Sequence, residues 1–486
     1  MHASASDRSS VVIVANRLPV RRLDAIDGGE PSWATSPGGL VSALAPALAE
    51  SERIDWVGWA GDLDGGSGEP FTVDGMTLHP IAISGEDKRL HYDGMSNGTL
   101  WPLYHDKIAP PEFHRSWYLG YRRVNERFAE ATAKIAPEDS LVWVQDYQLQ
   151  LVPGLLRELR PDLRIGFFLH IPFPPAELFM QLPWRRALTE GILGSDLVGF
   201  QTPHGVGNFA RLAVELDLAS RTVPPQGLAT GFATLAYDDR QVEVRSFPIG
   251  IDAAHYDDGA RSHDVTEATR DLRASMGQPH VVLLGVDRLD YTKGIDVRLR
   301  AFSELLAEGR LHPSQVTMVQ VAEPSRDDVE AYIALRAQVE QLVSQINGDY
   351  GRVGFPVVHY VHQSQDHESL LSLYRAADVM LVTPFRDGMN LVAKEYVATR
   401  YDETGVLVLS EFAGAAHLMP SAVLVNPYDV DGLKNAIADA VAMEPDEVRT
   451  RMKDLRVSVA ANDAAAWAES FIELLPSAGT GANGPS

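Results

Sequence analysis

The chain contains no cysteine among its 486 residues. Disulfide bonds and thiolate metal sites are therefore excluded, and nothing argues for an oxidising compartment. Long apolar runs are also missing. The first apolar run, Val11 to Ala15, is short and follows a polar, Ser-rich start. A membrane helix needs about 20 apolar residues, and a secretory signal needs a basic leader. We therefore expect a cytoplasmic protein with no membrane partner.

Positive charge is scarce. Lys and Arg total 42 against 66 Asp and Glu, for a formal charge of -24. Nucleic acids and anionic membranes are bound by basic faces, so neither is expected as a partner. An arginine or lysine placed alone in a Gly-rich loop is then informative, because a phosphorylated substrate would need such a local positive patch.

The length exceeds what one hydrophobic core usually supports, so we expect two domains. Short β-branched runs recur, and helical patterns such as Leu299–Leu306 and Leu370–Ala377 follow them. Runs without alternation indicate parallel strands buried on both faces, and their alternation with helices predicts an α/β fold with open doubly wound sheets. The clearest runs are Val11–Val14, Leu141–Val144, Ile165–Leu169, Leu197–Phe200, Val242–Phe247, Val281–Gly285, Val316–Val321, Val379–Val382 and Val406–Leu409.

The domain boundary is predicted near Pro248–Asp252, where a strand ends and a polar stretch follows. This gives a domain over residues 10–250 and a second over 251–462. Residues 1–9 and 476–486 are rich in Ser, Gly and Ala and are expected to be disordered.

In open α/β sheets, ligands bind beyond the carboxyl ends of the strands, so the loops there deserve most weight. Arg17 follows the first strand. Gly38 and Gly39 then precede a helical pattern over Leu40–Ala49. Adjacent glycines let backbone N–H groups approach an anion at a helix N-terminus. The pair alone is weak evidence, because a plain tight turn accounts for it more simply.

Two further loops of the first half carry polar groups. Asp146 follows the strand Leu141–Val144, and His170 follows Ile165–Leu169 at the start of a loop with three prolines. Such a rigid loop suits the positioning of a side chain, although a structural histidine bonded to the backbone is the alternative. His170 has no partner in a His-x-x-x-His pair, so metal ligation is not expected there. The Asp62-Leu63-Asp64 stretch lies in the Gly-rich run Gly61–Gly68 and is not expected to bind a metal either.

The second half offers cations after strands. Arg288 and Lys293 lie in the segment following Val281–Gly285, ahead of a helix. An arginine that can bind in a bidentate way and a lysine acting as a point charge together suit a diphosphate. Arg326 follows the strand Val316–Val321 in the same manner.

The segment after Val379–Val382 combines Asp387 with a helix that contains Glu395. An ionised carboxylate only accepts hydrogen bonds, so it suits vicinal sugar hydroxyls. The alternatives are that Asp387 caps the helix and that Glu395 forms a surface salt bridge.

Taken together, these motifs resemble those of the trehalose-6-phosphate synthases, a family of retaining GT-B glycosyltransferases. The resemblance runs in order from about residue 11 to 472, and its last two motifs are long and specific. It implies two Rossmann-like domains with an interdomain cleft and a C-terminal helix, residues 463–475, that crosses back to the first domain. The motifs are Asn16-Arg17, Gly38-Gly39-Leu40, Ser96-Asn97, Leu100-Trp101-Pro102, the segment from Phe167 to Pro174, the segment from Asp287 to Gly294, and the segment from Arg386 to Glu395.

The resemblance also implies roles for individual residues. Transfer of glucose from a UDP-, ADP- or GDP-glucose to glucose 6-phosphate is expected, with Arg288, Lys293, Asp387 and His170 as catalytic residues. Arg17, Tyr92, Trp101, Asp146 and Arg326 would bind the acceptor. The donor would contact Gly38, Gly39, Arg288, Lys293, Gln365, Asp387, Asn390, Leu391, Val392, Ala393, Lys394 and Glu395. No metal or other cofactor is implied, and a homodimer or homotetramer is expected.

The chain departs from the family at two places. Gln145 and Gln148 flank Asp146 where histidines are common in the family, and Gln365 occupies a position near the nucleotide base, which leaves the base preference open. Three other functions compete with the synthase. They are transfer to another acceptor such as glycerol 3-phosphate or a cyclitol phosphate, a non-catalytic sugar-phosphate sensor, which would lack the cations of the leaving group, and a phosphorylase, which would need a cofactor lysine that we do not find.

Overall fold

A computed structural model describes residues 10–23, 32–35, 44, 53–61, 68–107, 111–221, 231–326 and 329–475. The chain forms two compact units, one ending at Ile249 and including the residues from Ala464, the other spanning Gly250–Asp463. The boundary predicted from the sequence, between residues 250 and 251, lies one position after the observed division between Ile249 and Gly250. Gly38, Gly39, most of the helical pattern over Leu40–Ala49, Asp62, Asp64 and the two termini predicted to be disordered lie outside the described residues.

The first unit is built on a ten-stranded sheet with the order β10-β11-β12-β9-β8-β7-β1-β4-β6-β5. The strands from β12 to β6 in this order pair in parallel, while β10–β11, β11–β12 and β5–β6 are antiparallel. The strands are β1 (Val11–Arg17), β2 (Val20–Leu23), β3 (Ser32–Thr35), β4 (Ile54–Trp59), β5 (Phe71–Val73), β6 (Met76–Pro80), β7 (Leu141–Gln145), β8 (Arg164–Leu169), β9 (Leu197–Phe200), β10 (Ser220–Arg221), β11 (Phe232–Tyr237) and β12 (Arg240–Ser246), of which β2 and β3 form a separate antiparallel pair.

The second unit contains a six-stranded parallel sheet with the order β15-β14-β13-β16-β17-β18. Counted within the unit this is 3-2-1-4-5-6, the order of dinucleotide-binding folds. The strands are β13 (Val281–Arg288), β14 (Val316–Glu323), β15 (Val358–Val361), β16 (Val379–Val382), β17 (Val406–Ser410) and β18 (Val423–Val425).

Helices connect the strands in both units. In the first unit they are Gly85–Asp87, the π-helix Lys88–Leu100, Trp101–Tyr104, Arg115–Ile135, the 3-10 turn Tyr147–Leu149, Val152–Leu159, Ala176–Phe179, Arg185–Leu193, Pro203–Glu215 and Ala464–Leu474. In the second they are Ala253–Ala260, His263–Ser275, Ile295–Ala307, Glu330–Tyr350, His367–Ala376, Leu391–Thr399, the 3-10 turn Gly414–His417, Val430–Val441 and Pro445–Ala460. In the part of the chain that the structure describes, no helix has the length and apolar character to cross a bilayer.

The last helix, Ala464–Leu474, packs on the first sheet. The ring of Phe471 stacks on Trp143 of β7 with centroids 4.3 Å apart, and the indole N–H of Trp467 donates to the Phe247 carbonyl over 3.2 Å. A Cβ on Gly199 of β9 would lie 2.7 Å from the Phe471 ring, so the glycine lets the helix approach the strands closely. The C-terminal segment is therefore part of the first unit.

Each sheet has a point at which the strand order reverses, between β1 and β7 in the first unit and between β13 and β16 in the second. Loops diverge there, which leaves a crevice at the carboxyl ends of the strands. Arg17 ends β1 and Asp146 follows β7, whereas Arg288 ends β13 and Asp387 follows β16. The positions singled out in the sequence thus lie at the two reversal points.

The sequence-based strand ends need two corrections. Strand β13 continues to Arg288, so this arginine lies on the sheet and not in a loop with Lys293, and β14 continues to Glu323. Pairing of β13 with β14 through Arg288 and Glu323 extends both strands beyond their apolar segments. The polar segment after the domain boundary also differs from a plain connection, since Ala253–Ala260 is a helix capped by Asp252.

Candidate active site

Two side chains of the second unit meet at its reversal point. The Lys293 ammonium lies 2.5 Å from Asp387 Oδ2, and Asn390 Nδ2 donates to the same oxygen over 3.1 Å. The side chains of Lys293 and Asp387 are only 12% and 15% exposed, so their attraction is weakly screened by solvent. Asp387 does not cap the helix that follows, because Asn390 does. Helix capping is therefore not its role.

Close packing at Gly294 places Lys293 here. Gly294 has φ +63°, and a Cβ on it would lie 2.4 Å from the Thr383 carbonyl oxygen. Only glycine combines this left-handed conformation with such an approach. The turn after β13 can therefore lie directly against the end of β16, which brings the lysine to the aspartate.

A buried arginine, Arg298, supports the same turn and was missed in the sequence. It forms an ion pair with Asp287 at 2.7 Å and donates to Thr383 Oγ1 at 3.1 Å and to the Lys293 carbonyl at 2.8 Å. The side chain is fully buried, and a buried charge has to be paired in this way. The only signal was its place among apolar residues of the helix pattern.

The helix Leu391–Thr399 presents its N-terminus near Asp387. Asn390 adopts φ +84° and its side-chain oxygen accepts from the Ala393 N–H over 3.1 Å. The other N–H groups of the first turn, from Leu391 and Val392, have no partner within the helix, and with the helix dipole they form an anion-binding end. The side chain of Lys394, which follows Ala393 in this helix, is buried, since the residue is only 1% exposed. This burial lowers the pKa of Lys394 to about 8.

Glu395 is not the surface salt-bridge residue considered as an alternative. Its carboxylate accepts a 2.8 Å hydrogen bond from the Tyr374 hydroxyl and a second bond from Tyr256. Burial raises the pKa of Glu395, Glu323 raises it further, and the two tyrosine hydroxyls oppose the rise. The tyrosines were not identified in the sequence, because they come from helices far apart along the chain.

The remaining predicted residues of this unit, Arg326 and Gln365, occupy different surroundings. Arg326 has φ +52°, and its guanidinium bonds to Asp290 Oδ2 at 3.1 Å and to the Tyr332 hydroxyl. Although burial opposes it, this arginine helps to lower the pKa of Asp290 to about 2. The Gln365 side-chain amide instead donates to the carbonyl oxygens of its own loop.

In the first unit, Arg17 and Tyr92 line one cavity of about 250 Å³. The guanidinium of Arg17 lies 4.5 Å from the centre of the Trp59 ring, an arrangement typical of a cation–π contact. Gly61 has φ +97° and would place a Cβ 2.7 Å from Arg17 Nη1. The cavity lies at the end of β1 and is also lined by Lys88 of the π-helix.

The π-helix is joined to β1 next to Arg17. His91 Nε2 lies 3.2 Å from Asn16 Oδ1, and burial lowers the pKa of His91 to about 3. Long π-helices are rare and short ones often mark functional sites. The spacing of apolar residues in the sequence does not predict a π-helix here, although Ser96-Asn97, which lies within it, is one of the family motifs.

Trp101, Asp146 and His170 form a second group in this unit. The Trp101 and Tyr147 rings are 5.6 Å apart. Asp146, at φ +71°, accepts the His170 N–H over 3.1 Å. His170 Nε2 lies 2.9 Å from Gln145 Oε1, so the bond is to a side chain and not to the backbone, and burial lowers the pKa of His170 to about 3. The imidazole is therefore neutral near pH 7.

Fold and site together define a GT-B glycosyltransferase, with a Rossmann-like domain in each unit. Comparison with known sequences identifies it further: the chain belongs to glycosyltransferase family 20, whose family model matches residues 9–477. This is the family of the trehalose-6-phosphate synthases.

The relatives are similar over nearly their whole length. The trehalose-6-phosphate synthase of Mycolicibacterium smegmatis is 53% identical, covering 100% of this chain and 95% of that protein. Among solved structures, an α,α-trehalose-phosphate synthase (UDP-forming) from Burkholderia xenovorans in complex with glucose-6-phosphate has a TM-score of 0.86 at 34% identity, covering 96% of this chain and 100% of that one. The trehalose-6-phosphate protein from E. coli bound with UDP-2-fluoro glucose also gives 0.86 at 34%, covering 96% and 99%.

Proposed function

We propose that the enzyme transfers glucose from a nucleoside diphosphate glucose to glucose 6-phosphate, giving α,α-trehalose 6-phosphate and a nucleoside diphosphate with retention at the transferred carbon. Membership of family 20 supports this reaction. The observation that carries it is the arrangement of Arg288, Lys293 and the Leu391 helix N-terminus around the reversal point of the second sheet.

The donor is assigned to the second unit. Arg288 and Lys293 bind its diphosphate, together with the backbone N–H groups of Leu391 and Val392. Asp387, already beside Lys293, receives the glucose hydroxyls, and the Glu395 carboxylate accepts from the ribose. The UDP-sugar analogue bound to the related E. coli protein supports a nucleotide sugar as the ligand. UDP-, ADP- and GDP-glucose all remain candidates, with Gln365 near the base.

The acceptor is assigned to the first unit. Its phosphate occupies the cavity lined by Arg17 and Tyr92, and its sugar lies toward Trp101 and Asp146. Binding of glucose 6-phosphate to the related Burkholderia xenovorans enzyme supports this class of acceptor. A glycerol 3-phosphate acceptor would leave the sugar-facing residues without a partner.

Retention is proposed to occur by front-face substitution. As the glycosidic bond to the diphosphate breaks, negative charge grows on the leaving oxygen, where Arg288 and Lys293 stabilise it. The same oxygen takes the proton of the attacking hydroxyl. Neutral His170 contributes a hydrogen bond to the donor glucose, and the family resemblance assigns the glycine pair Gly38-Gly39 to the same ligand. We propose that no metal ion is required, and addition of a chelator should then leave the rate unchanged.

One incubation tests acceptor, donor and catalysis together. The protein is mixed with glucose 6-phosphate and, separately, UDP-, ADP- and GDP-glucose, and the released nucleoside diphosphate and the disaccharide phosphate are measured. Trehalose 6-phosphate with at least one donor is expected, and NMR of the product reports the configuration. Equal product from glycerol 3-phosphate, or hydrolysis without a disaccharide, would contradict the proposal.

The predicted assembly and location complete the proposal. A homodimer or homotetramer in the cytoplasm is proposed from the sequence, and light scattering of the purified protein measures the assembly. A monodisperse monomer at micromolar concentration would contradict it.

A further inference from the structure

The cavity at the end of β1 contains a second cation that the family resemblance did not assign. Its lining is Arg17, Trp59, Gly61, Lys88 and Tyr92, and its volume is about 250 Å³. Lys88 opens the π-helix Lys88–Leu100, and Tyr92 lies four positions later. Both side chains face this cavity, so the lysine belongs to the same local site as the arginine.

The ammonium of Lys88 is held in place. It lies 2.9 Å from Asp93 Oδ2, and the two side chains are 25% and 26% exposed. In a π-helix the hydrogen bonds join residues five apart, so positions 88 and 93 come together one turn from each other. An ammonium can donate to several oxygens at once, so a bond to Asp93 and a bond to a phosphate are compatible.

The charge of the proposed acceptor calls for a second cation here. A sugar phosphate carries about -1.5 to -2 charges near neutral pH, and Arg17 supplies one positive charge. Arg326, the other cation assigned to the acceptor phosphate, belongs to the second unit. Lys88 already lies at the cavity that contains Arg17.

We propose that Lys88 binds the phosphate of the sugar-phosphate acceptor beside Arg17, with Asp93 as the residue that positions its ammonium. The inference rests on the proposed function, because it assigns a further residue to the same acceptor site. It makes Lys88 a determinant of the preference for a phosphorylated over a neutral sugar acceptor.

The test compares Lys88→Met and Lys88→Gln with the wild-type enzyme under saturating donor. A charge-assisted hydrogen bond removed from the phosphate should raise KM for glucose 6-phosphate by about 10- to 100-fold. The donor KM should stay within about twofold and kcat within about threefold, since neither substitution touches the leaving group. Lys88→Arg should restore much of the affinity. Lys134→Met, at an exposed lysine of another helix, is the matched control.

Inorganic phosphate provides a second readout in the wild-type protein and both variants. Phosphate should compete with glucose 6-phosphate in the wild type and compete at least tenfold more weakly in Lys88→Met and Lys88→Gln. Unchanged acceptor KM and unchanged phosphate competition in a folded variant would overturn the assignment of Lys88. Absence of any transfer to glucose 6-phosphate by the wild type would instead reject the proposed function itself.

Discussion

Lys293 and Asp387 are paired at 2.5 Å across the ends of β13 and β16, with both side chains largely withdrawn from solvent. The pair joins the proposed diphosphate-binding cation to the proposed sugar-binding carboxylate. Each residue therefore orients the other before a donor arrives, which lowers the cost of ordering the site on binding.

The leaving group provides the first prediction. Lys293→Met and, separately, Arg288→Ala should each lower kcat by about 10²- to 10³-fold, because these cations act most strongly as charge develops in the transition state. KM for glucose 6-phosphate should change far less. Steady-state kinetics with both substrates varied measure this, and Lys453→Met, at an exposed lysine of the same unit, is the control. A raised donor KM with near-normal turnover would contradict the role.

The Tyr374 hydroxyl provides the second prediction. Tyr374→Phe removes the 2.8 Å bond to Glu395 and should raise the donor KM by about tenfold, since hydrogen bonds to charged groups contribute roughly 1.5–3 kcal/mol. Discrimination against a 2′-deoxyribose donor should weaken in parallel, because the carboxylate that accepts from the ribose loses its orientation.

The same substitution has a pH signature. Tyrosine hydroxyls lower the pKa of Glu395 while burial and Glu323 raise it, so loss of one hydroxyl moves the pKa of Glu395 further up. The ionised form is the hydrogen-bond acceptor, and donor kcat/KM should then begin to fall at a higher pH on acidification. Tyr396→Phe, which removes a hydroxyl bonded to the Ala377 carbonyl, should leave the profile in place. Coincident profiles for wild type and Tyr374→Phe would refute this assignment.

Gly61 provides the third prediction. Gly61→Ala would place a methyl group 2.7 Å from Arg17 Nη1, so the guanidinium has to move and KM for glucose 6-phosphate should rise by about tenfold. Gly75→Ala is a matched control, because Gly75 also has a positive φ of +79° but has nothing within 4 Å of the added Cβ. Both variants should lose similar stability, about 1–2 kcal/mol. Only Gly61→Ala should weaken acceptor binding, and equal acceptor KM values in the two would disprove the contact.

Buried histidines provide the fourth prediction. Burial lowers the pKa of His91 to about 3 from the ordinary 6.5, and that of His170 likewise. Between pH 3 and pH 6.5 the two histidines bind protons in the unfolded chain but not in the folded protein. The free energy of unfolding should therefore fall as pH drops from about 6.5 towards 3. Each pKa unit corresponds to ~1.4 kcal/mol.

Denaturant unfolding at a series of pH values measures this slope. His91→Gln retains a side-chain amide facing Asn16 but cannot take up a proton, and should therefore flatten the dependence. His263→Gln, at a largely exposed histidine, should leave it unchanged. A slope in His91→Gln as steep as in the wild type would show that other groups cause the acid sensitivity.

Much of the fold followed from local pattern. The unbroken apolar strands predicted parallel sheets, and β9 and β16 have the predicted bounds. The flanking antiparallel strands were missed, because pairs such as β5–β6 and β10–β11 are short and partly exposed. Arg288 was assigned to a loop because its side chain is polar. Pairing between β13 and β14 depends on the backbone, however, and it extends through Arg288, which is paired with Glu323.

The sequence alone determined the α/β class, the division near residue 250, the family resemblance and the loops that follow β13 and β16, because each depends on residues close together along the chain. Tertiary structure decided what surrounds those residues: the buried Arg298 bonded to the Lys293 carbonyl, the tyrosines bonded to Glu395, the bond from His170 to Gln145, and the cavity that Lys88 lines together with Arg17. Such contacts join distant segments, and they depend on close packing and burial, which no local pattern encodes.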